Sequence, residues 1–157
     1  MRKPVERMVM LHEASPEVES VSESAAEAVS PHDVKILAVD DHRAFREALR
    51  DVIAAAPGFV LVGQASSGEE ALRAVDRLAP EMVLMDVVMP GMGGIAATQA
   101  ILSRRPDVVV VLISVDDPAL YPEASALGEG AVCARKQDLR PQQLRQLWEA
   151  HRRMRHR

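Results

Sequence analysis

The runs KILAV, MVLMD and DVVVVLIS are apolar stretches of about five residues, rich in β-branched side chains and without alternation. A strand that faces water on one side alternates polar and apolar residues, whereas one covered on both faces reads as a continuous apolar run. Strands of the second kind build parallel sheets. Two of these runs end in carboxylates, Asp40-Asp41 after KILAV and Asp86 at the end of MVLMD, and the second continues into the loop VVMPGMGG. In an open parallel sheet the ligand site lies outside the carboxyl ends of the strands, so three carboxylates converge there.

Strand and helix signals alternate from Val34 onward at the spacing of βα units. A strand at Val34 to Val39 leads into a helix with apolar positions Phe45, Leu49, Val52, Ile53 and Ala56, stopped by Pro57-Gly58. The strand FVLVGQA precedes a helix in which Ser67 and Glu70 have capping-box spacing and Ala71, Leu72, Val75 and Leu78 form the inward stripe. Pro80 closes it. After the third strand and its loop, a helix is expected from about Ile95 to Arg104, then a fourth strand ending at Ser114. A short Ala-rich helix is expected between Ala119 and Leu127, beginning late or kinked because Pro122 lacks a backbone N–H. AVCAR reads as a fifth strand, and Pro141 to about Met154 as a last helix with Leu144, Leu147 and Trp148 inward. Five such units in open succession predict a doubly wound α/β sheet with helices on both faces. A closed barrel of eight units needs roughly 250 residues, and this chain has 157.

Composition narrows the function classes. Phe45, Phe59, Tyr121 and Trp148 are the only aromatics, which leaves no stacking platform for nucleobases, and a net charge of −4 supplies no overall basic field. Direct DNA binding is therefore not expected. Cys133 is the single cysteine, so there is no internal disulfide or cysteine metal cluster, and it reads as a small buried apolar residue. No apolar stretch reaches the roughly 18 residues of a membrane span, so no membrane insertion and a cytoplasmic location are expected. Residues 1–33 carry seven acids, three bases and five serines, too polar to offset their ordering entropy, and read as a disordered tail. The compact domain is expected over 34–152, with 153–157 a basic, solvated end.

Four features, VDDH after the first strand, MDVVMPGMGG after the third, VLISV at the end of the fourth and ARKQDL after the fifth, occur in order at strand ends. In these the chain resembles the receiver domains of bacterial two-component response regulators, and among them the subfamily that usually carries a helix-turn-helix output. The resemblance implies a flavodoxin-like fold with strand order 2-1-3-4-5. It implies Asp86 as phosphoacceptor, served by a sensor histidine kinase or a histidine phosphotransfer protein. It further implies Mg²⁺ held by Asp41 and Asp86 directly, by Asp40 through water and by the backbone carbonyl of Val88, with Lys136 and Ser114 meeting phosphoryl oxygens. These residue types suit the chemistry: clustered carboxylates repel, a hard cation with oxygen ligands offsets that repulsion, and phosphoryl transfer depends on positioning and charge neutralisation.

Each residue also has a plainer reading. Asp40 or Asp41 suits the N-cap of the following helix, Asp86 a turn, Ser114 an ordinary strand end, and Lys136 a solvated position in RKQD. Cys133 stands where many receivers carry the switch aromatic, and Gln137 where many carry proline. Only about a dozen residues follow Leu144, too few for a helix-turn-helix unit, so a stand-alone receiver acting on an unknown downstream protein is expected, not a turnover enzyme. Dimerisation is compatible with it. The alternatives are a pseudo-receiver interaction module, a DNA-binding regulator truncated before its output domain, and an aspartyl phosphatase. The last calls for an acid two residues after the nucleophile, where Val88 stands.

Overall fold

The computed structural model describes residues 32–155. The expected tail lies outside them except for its last two residues, and the basic end is described only as far as Arg155. The unit beginning at Val34 contains five strands, β1 (Val34–Val39), β2 (Phe59–Ala65), β3 (Met82–Asp86), β4 (Val109–Ser114) and β5 (Ala131–Arg135). All pair in parallel, in the order β2-β1-β3-β4-β5. The helices are α1 (Arg43–Ala54), α2 (Gly68–Leu78), α3 (Gly94–Arg104) and α4 (Pro141–Arg155). The doubly wound fold expected from the sequence is the one observed.

Successive residues of a strand point to opposite faces, and here both faces are covered. Leu37, Val83, Val110 and Leu112 pack with Ala71, Val75, Ala97 and Ile101 of α2 and α3. Ile36, Leu84, Val111 and Ile113 pack on the other side with Leu49 and Ile53 of α1 and Leu144 of α4. Every residue of β3 and β4 is buried, which is why those runs show no alternation. Each such aliphatic side chain stabilises the fold by roughly 1.5–3 kcal/mol.

Local signals set the helix ends. Ser67 Oγ accepts the Glu70 N–H at 3.1 Å, while the Glu70 carboxylate reaches back to the Ser66 N–H at 3.0 Å, one residue before the reciprocal partner of a full capping box. Ala79 ends α2 in the left-handed region at φ 48°, ahead of Pro80.

The segment between β4 and β5 corrects the sequence reading. No α-helix forms between Ala119 and Leu127; two 3₁₀ stretches, Pro118–Leu120 and Pro122–Leu127, stand in its place. Pro122 supplies no N–H, and the residue before a proline is kept out of the α region, as Tyr121 is at φ −126° and ψ 67°. Cys133 is a second correction, being exposed rather than buried. It lies opposite Leu112 on the edge strand β5.

Candidate functional site

Register brings the site together. Val39 of β1 pairs with Met85 of β3, so Asp40 leaves β1 beside Asp86. Asp86 pairs with Ile113, and Ser114 of β4 with Arg135 of β5, so Ser114 and Lys136 each lie one step beyond a paired position at the same sheet edge. Lys136 opens a short 3₁₀ turn, Lys136–Asp138. Its Nζ donates to Asp40 Oδ2 at 2.7 Å and lies 3.7 Å from Asp86 Oδ1. The side chains of Asp40 and Lys136 are 1% and 15% exposed, so this ion pair is screened far less than one on the surface.

Neither aspartate of the pair caps α1. Its N-cap is His42, which makes no side-chain cap bond; instead Asp40 Oδ1 accepts the His42 N–H at 2.8 Å. His42 Nδ1 lies 3.2 Å from carboxylate oxygens of both Asp40 and Asp41. The capping reading therefore fails, and the pair faces Asp86. Arg46 adds a brace that the motifs do not signal. Its Nη1 donates to the Asp40 carbonyl at 2.6 Å and its Nε to Gln64 Oε1 at 3.3 Å, tying the β1–α1 turn to β2.

Asp86 Oδ1 accepts the Val88 N–H at 3.3 Å, while the Val88 side chain is exposed. The Ser114 hydroxyl, buried at the end of β4, accepts the Asp116 N–H at 2.9 Å. Gly91 turns the loop at φ +76°, and Gly94 supplies the close approach, since a Cβ there would collide with the Asp86 carbonyl oxygen.

Burial and the neighbouring Asp40 push the Asp86 carboxyl up to about 6, against the pull of the Lys136 ammonium and the Val88 N–H, with Asp41 adding to the rise. Ligand atoms of Asp40, Asp41, His42 and Asp86 all lie within 4.8 Å of one another. Asp41 Oδ1 is buried without a hydrogen bond. A self-repelling set of oxygen donors, one of which has His42 Nδ1 at 3.2 Å but no hydrogen bond, fits a hard divalent cation, and Mg²⁺ suits it because it takes oxygen ligands and retains waters. His42 joins this cluster on geometry alone, since an exposed histidine after an acidic pair carries no ligand signal of its own. Among the described residues no helix is long and apolar enough to cross a membrane.

Residues 36–147 match the response regulator receiver domain family. The response regulator GacA of Pseudomonas syringae pv. syringae is 44% identical over 89 residues, which are 57% of this chain and 42% of the relative. Protein-glutamate methylesterase/protein-glutamine glutaminase 4 of Geobacter metallireducens is 41% identical over 102 residues, 64% of this chain and 29% of the relative. The chain thus spans less than half the length of these curated relatives. Among solved structures, the signal receiver domain of NarL from Mycobacterium tuberculosis superposes with a TM-score of 0.68 at 28% identity, covering 78% of this chain and 98% of that one. The response regulator domain of Thermotoga maritima CheB gives 0.66 at 27% identity, covering 76% and 97%. With the fold, the sheet-edge carboxylates and the match over 36–147 in agreement, this chain belongs to the response regulator receiver domain family of two-component signalling systems.

Proposed function

We propose that this chain is a phosphorylation-dependent signalling receiver that accepts a phosphoryl group on Asp86 from a sensor histidine kinase or a histidine phosphotransfer protein. The supporting observation is the Lys136 ammonium, drawn from the last strand of the sheet to lie between Asp40 at 2.7 Å and Asp86 at 3.7 Å. A lone solvated lysine would not be held in that position.

In the transfer, an ionised Asp86 oxygen bonds to phosphorus as the phosphorus–nitrogen bond of a phosphohistidine breaks, and the electron pair leaves with the imidazole. Lys136 pairs with one phosphoryl oxygen, and the Ser114 hydroxyl, which accepts the Asp116 N–H, donates its own O–H to another. Buried and placed before the reaction, these donors need little reorganisation as charge develops. Asp41 and Asp86 directly, Asp40 through water and the Val88 carbonyl are the groups that would hold Mg²⁺, which when bound neutralises the carboxylates and the incoming phosphoryl oxygens.

Phosphorylation then favours one of two arrangements of the domain, read by protein–protein contact rather than by direct DNA binding, in the cytoplasm and with or without dimerisation. The tail at 1–33, the domain at 34–152 and the basic end at 153–157 complete this reading. Like other receivers, the chain promotes its own phosphoryl transfer without being a turnover enzyme. A pseudo-receiver is the second reading, favoured by the exposed Cys133 and the 3₁₀ segment that replaces a helix beside it.

Acetyl phosphate and Mg²⁺, followed by mass spectrometry of wild type and Asp86→Asn, test this directly. One Mg²⁺-dependent, hydroxylamine-labile phosphoryl group on wild type alone is expected. An unmodified wild type whose amide spectrum also ignores beryllofluoride would hand the case to the pseudo-receiver.

A further inference from the structure

Lys136 has a third neighbour besides its two carboxylates. Its Nζ sits over the ring of Phe45, 4.3 Å from the centroid. Phe45 lies in the first turn of α1, half-buried, and packs against the core cluster beneath that helix. By its spacing it reads as one more member of the inward stripe, yet its ring face is given to the ammonium. A lysine ammonium has three N–H donors and is strongly hydrated in water. Here the carboxylates of Asp40 and Asp86 take one side and an aromatic face covers another, where its quadrupole attracts the charge and its bulk excludes water.

We infer that Phe45 is a positioning residue for Lys136, its ring holding the ammonium at the carboxylate cluster so that Nζ passes from Asp40 to a phosphoryl oxygen on Asp86 without being rehydrated. This rests on the phosphoacceptor reading of Asp86. Asp40 takes one N–H of Nζ at 2.7 Å while Asp86 Oδ1 lies 3.7 Å away, so pairing with a phosphoryl group on Asp86 shifts the ammonium toward Asp86. A second acidic anchor would resist that change. A neutral π face keeps the ammonium in place without competing for its N–H donors.

The test uses the full chain with Phe45→Leu, which keeps apolar bulk and removes the ring, and Phe45→Tyr, which keeps the ring. Phosphoryl uptake from acetyl phosphate should fall about 3- to 10-fold in Phe45→Leu, the range expected for a partly desolvated cation–π contact, while Mg²⁺ affinity is unchanged. Phe45→Tyr should restore uptake, and the Lys136 methylene proton signals should lose their ring-current shift in the leucine variant alone. Wild-type uptake in Phe45→Leu overturns the inference, as does a tyrosine variant as slow as the leucine one. If Phe45→Leu folds poorly, Phe45→Tyr and the wild-type Lys136 signals decide it, an unshifted wild-type signal counting against. No uptake by wild type removes the phosphoacceptor reading and this inference with it, whereas normal wild-type uptake with an indifferent leucine variant removes the inference alone.

Discussion

The edge where β1 and β3 end and the segment that joins β4 to β5 are built on opposite terms. At the first, Asp40 and Asp86 are 0% and 4% exposed, and their positions follow from strand register within a sheet buried on both faces. At the second, two prolines reduce a helix to 3₁₀ stretches, Leu120 is 65% exposed, and Cys133 has no covering helix. Charge chemistry needs carboxylates fixed within tenths of an ångström, and only a packed sheet supplies that. A surface that signals by changing its arrangement is drawn from the part of the fold with fewer buried contacts, where a rearrangement costs less. The contrast fits the proposed receiver function, with a rigid acceptor beside an adaptable reader.

The comparison breaks if core truncation beneath the site is cheap. Leu112→Ala, at a position with 0% exposure on β4, should cost about 3 kcal/mol by urea unfolding, and a loss below about 1 kcal/mol would mean that the sheet does not hold the site rigidly. Gly94→Ala should cost about 2 kcal/mol, because its Cβ meets the Asp86 carbonyl oxygen, and should also slow phosphoryl uptake by displacing Asp86. A variant as stable as wild type would show that the loop gives way freely.

Asp86→Asn acts in the opposite direction. Since the Asp86 carboxyl is raised from 3.8 to about 6 in the folded protein, its protonated form is the one favoured by folding. That advantage is fully present below pH 3.8 and is lost as pH rises through about 6, leaving an ionisation penalty at neutral pH. The variant should therefore be more stable than metal-free wild type by on the order of 2 kcal/mol at pH 7.5, with the gain vanishing by pH 4. Mg²⁺ should raise the wild-type unfolding midpoint more than that of the variant; equal responses would remove Asp86 from the metal site. The smallest effect belongs to the segment that joins β4 to β5. Leu120→Ser should change stability by no more than about 0.5 kcal/mol, and a larger loss would show that the segment is packed as firmly as the site.

Much of this was legible before any coordinates. The unalternating runs foretold strands covered on both faces, and Ser67 and Pro80 marked the ends of α2 because capping and proline chemistry are local. The failures have local causes too. The Ala-rich composition of 119–127 suggested a helix, but Pro122 supplies no N–H within it and keeps Tyr121 out of the α region. Cys133 was misread because a lone cysteine is usually a small buried residue, whereas here it sits on the edge strand β5. His42, Arg46 and Phe45 carry no sequence signal for their contacts, since an exposed histidine, an arginine and a stripe phenylalanine look alike in many helices.

The amino-acid order by itself determined where the strands run, that they lie in a two-sided parallel sheet, and which carboxylates stand at their ends, because hydrophobic period and turn chemistry act over a few residues. Tertiary structure alone decided that Lys136 would donate to Asp40 across 96 residues of chain and rest on the Phe45 ring. Those distances depend on the register of four strands and the seating of one helix, and a shift of a single residue, about 3.3 Å along a strand, would abolish them.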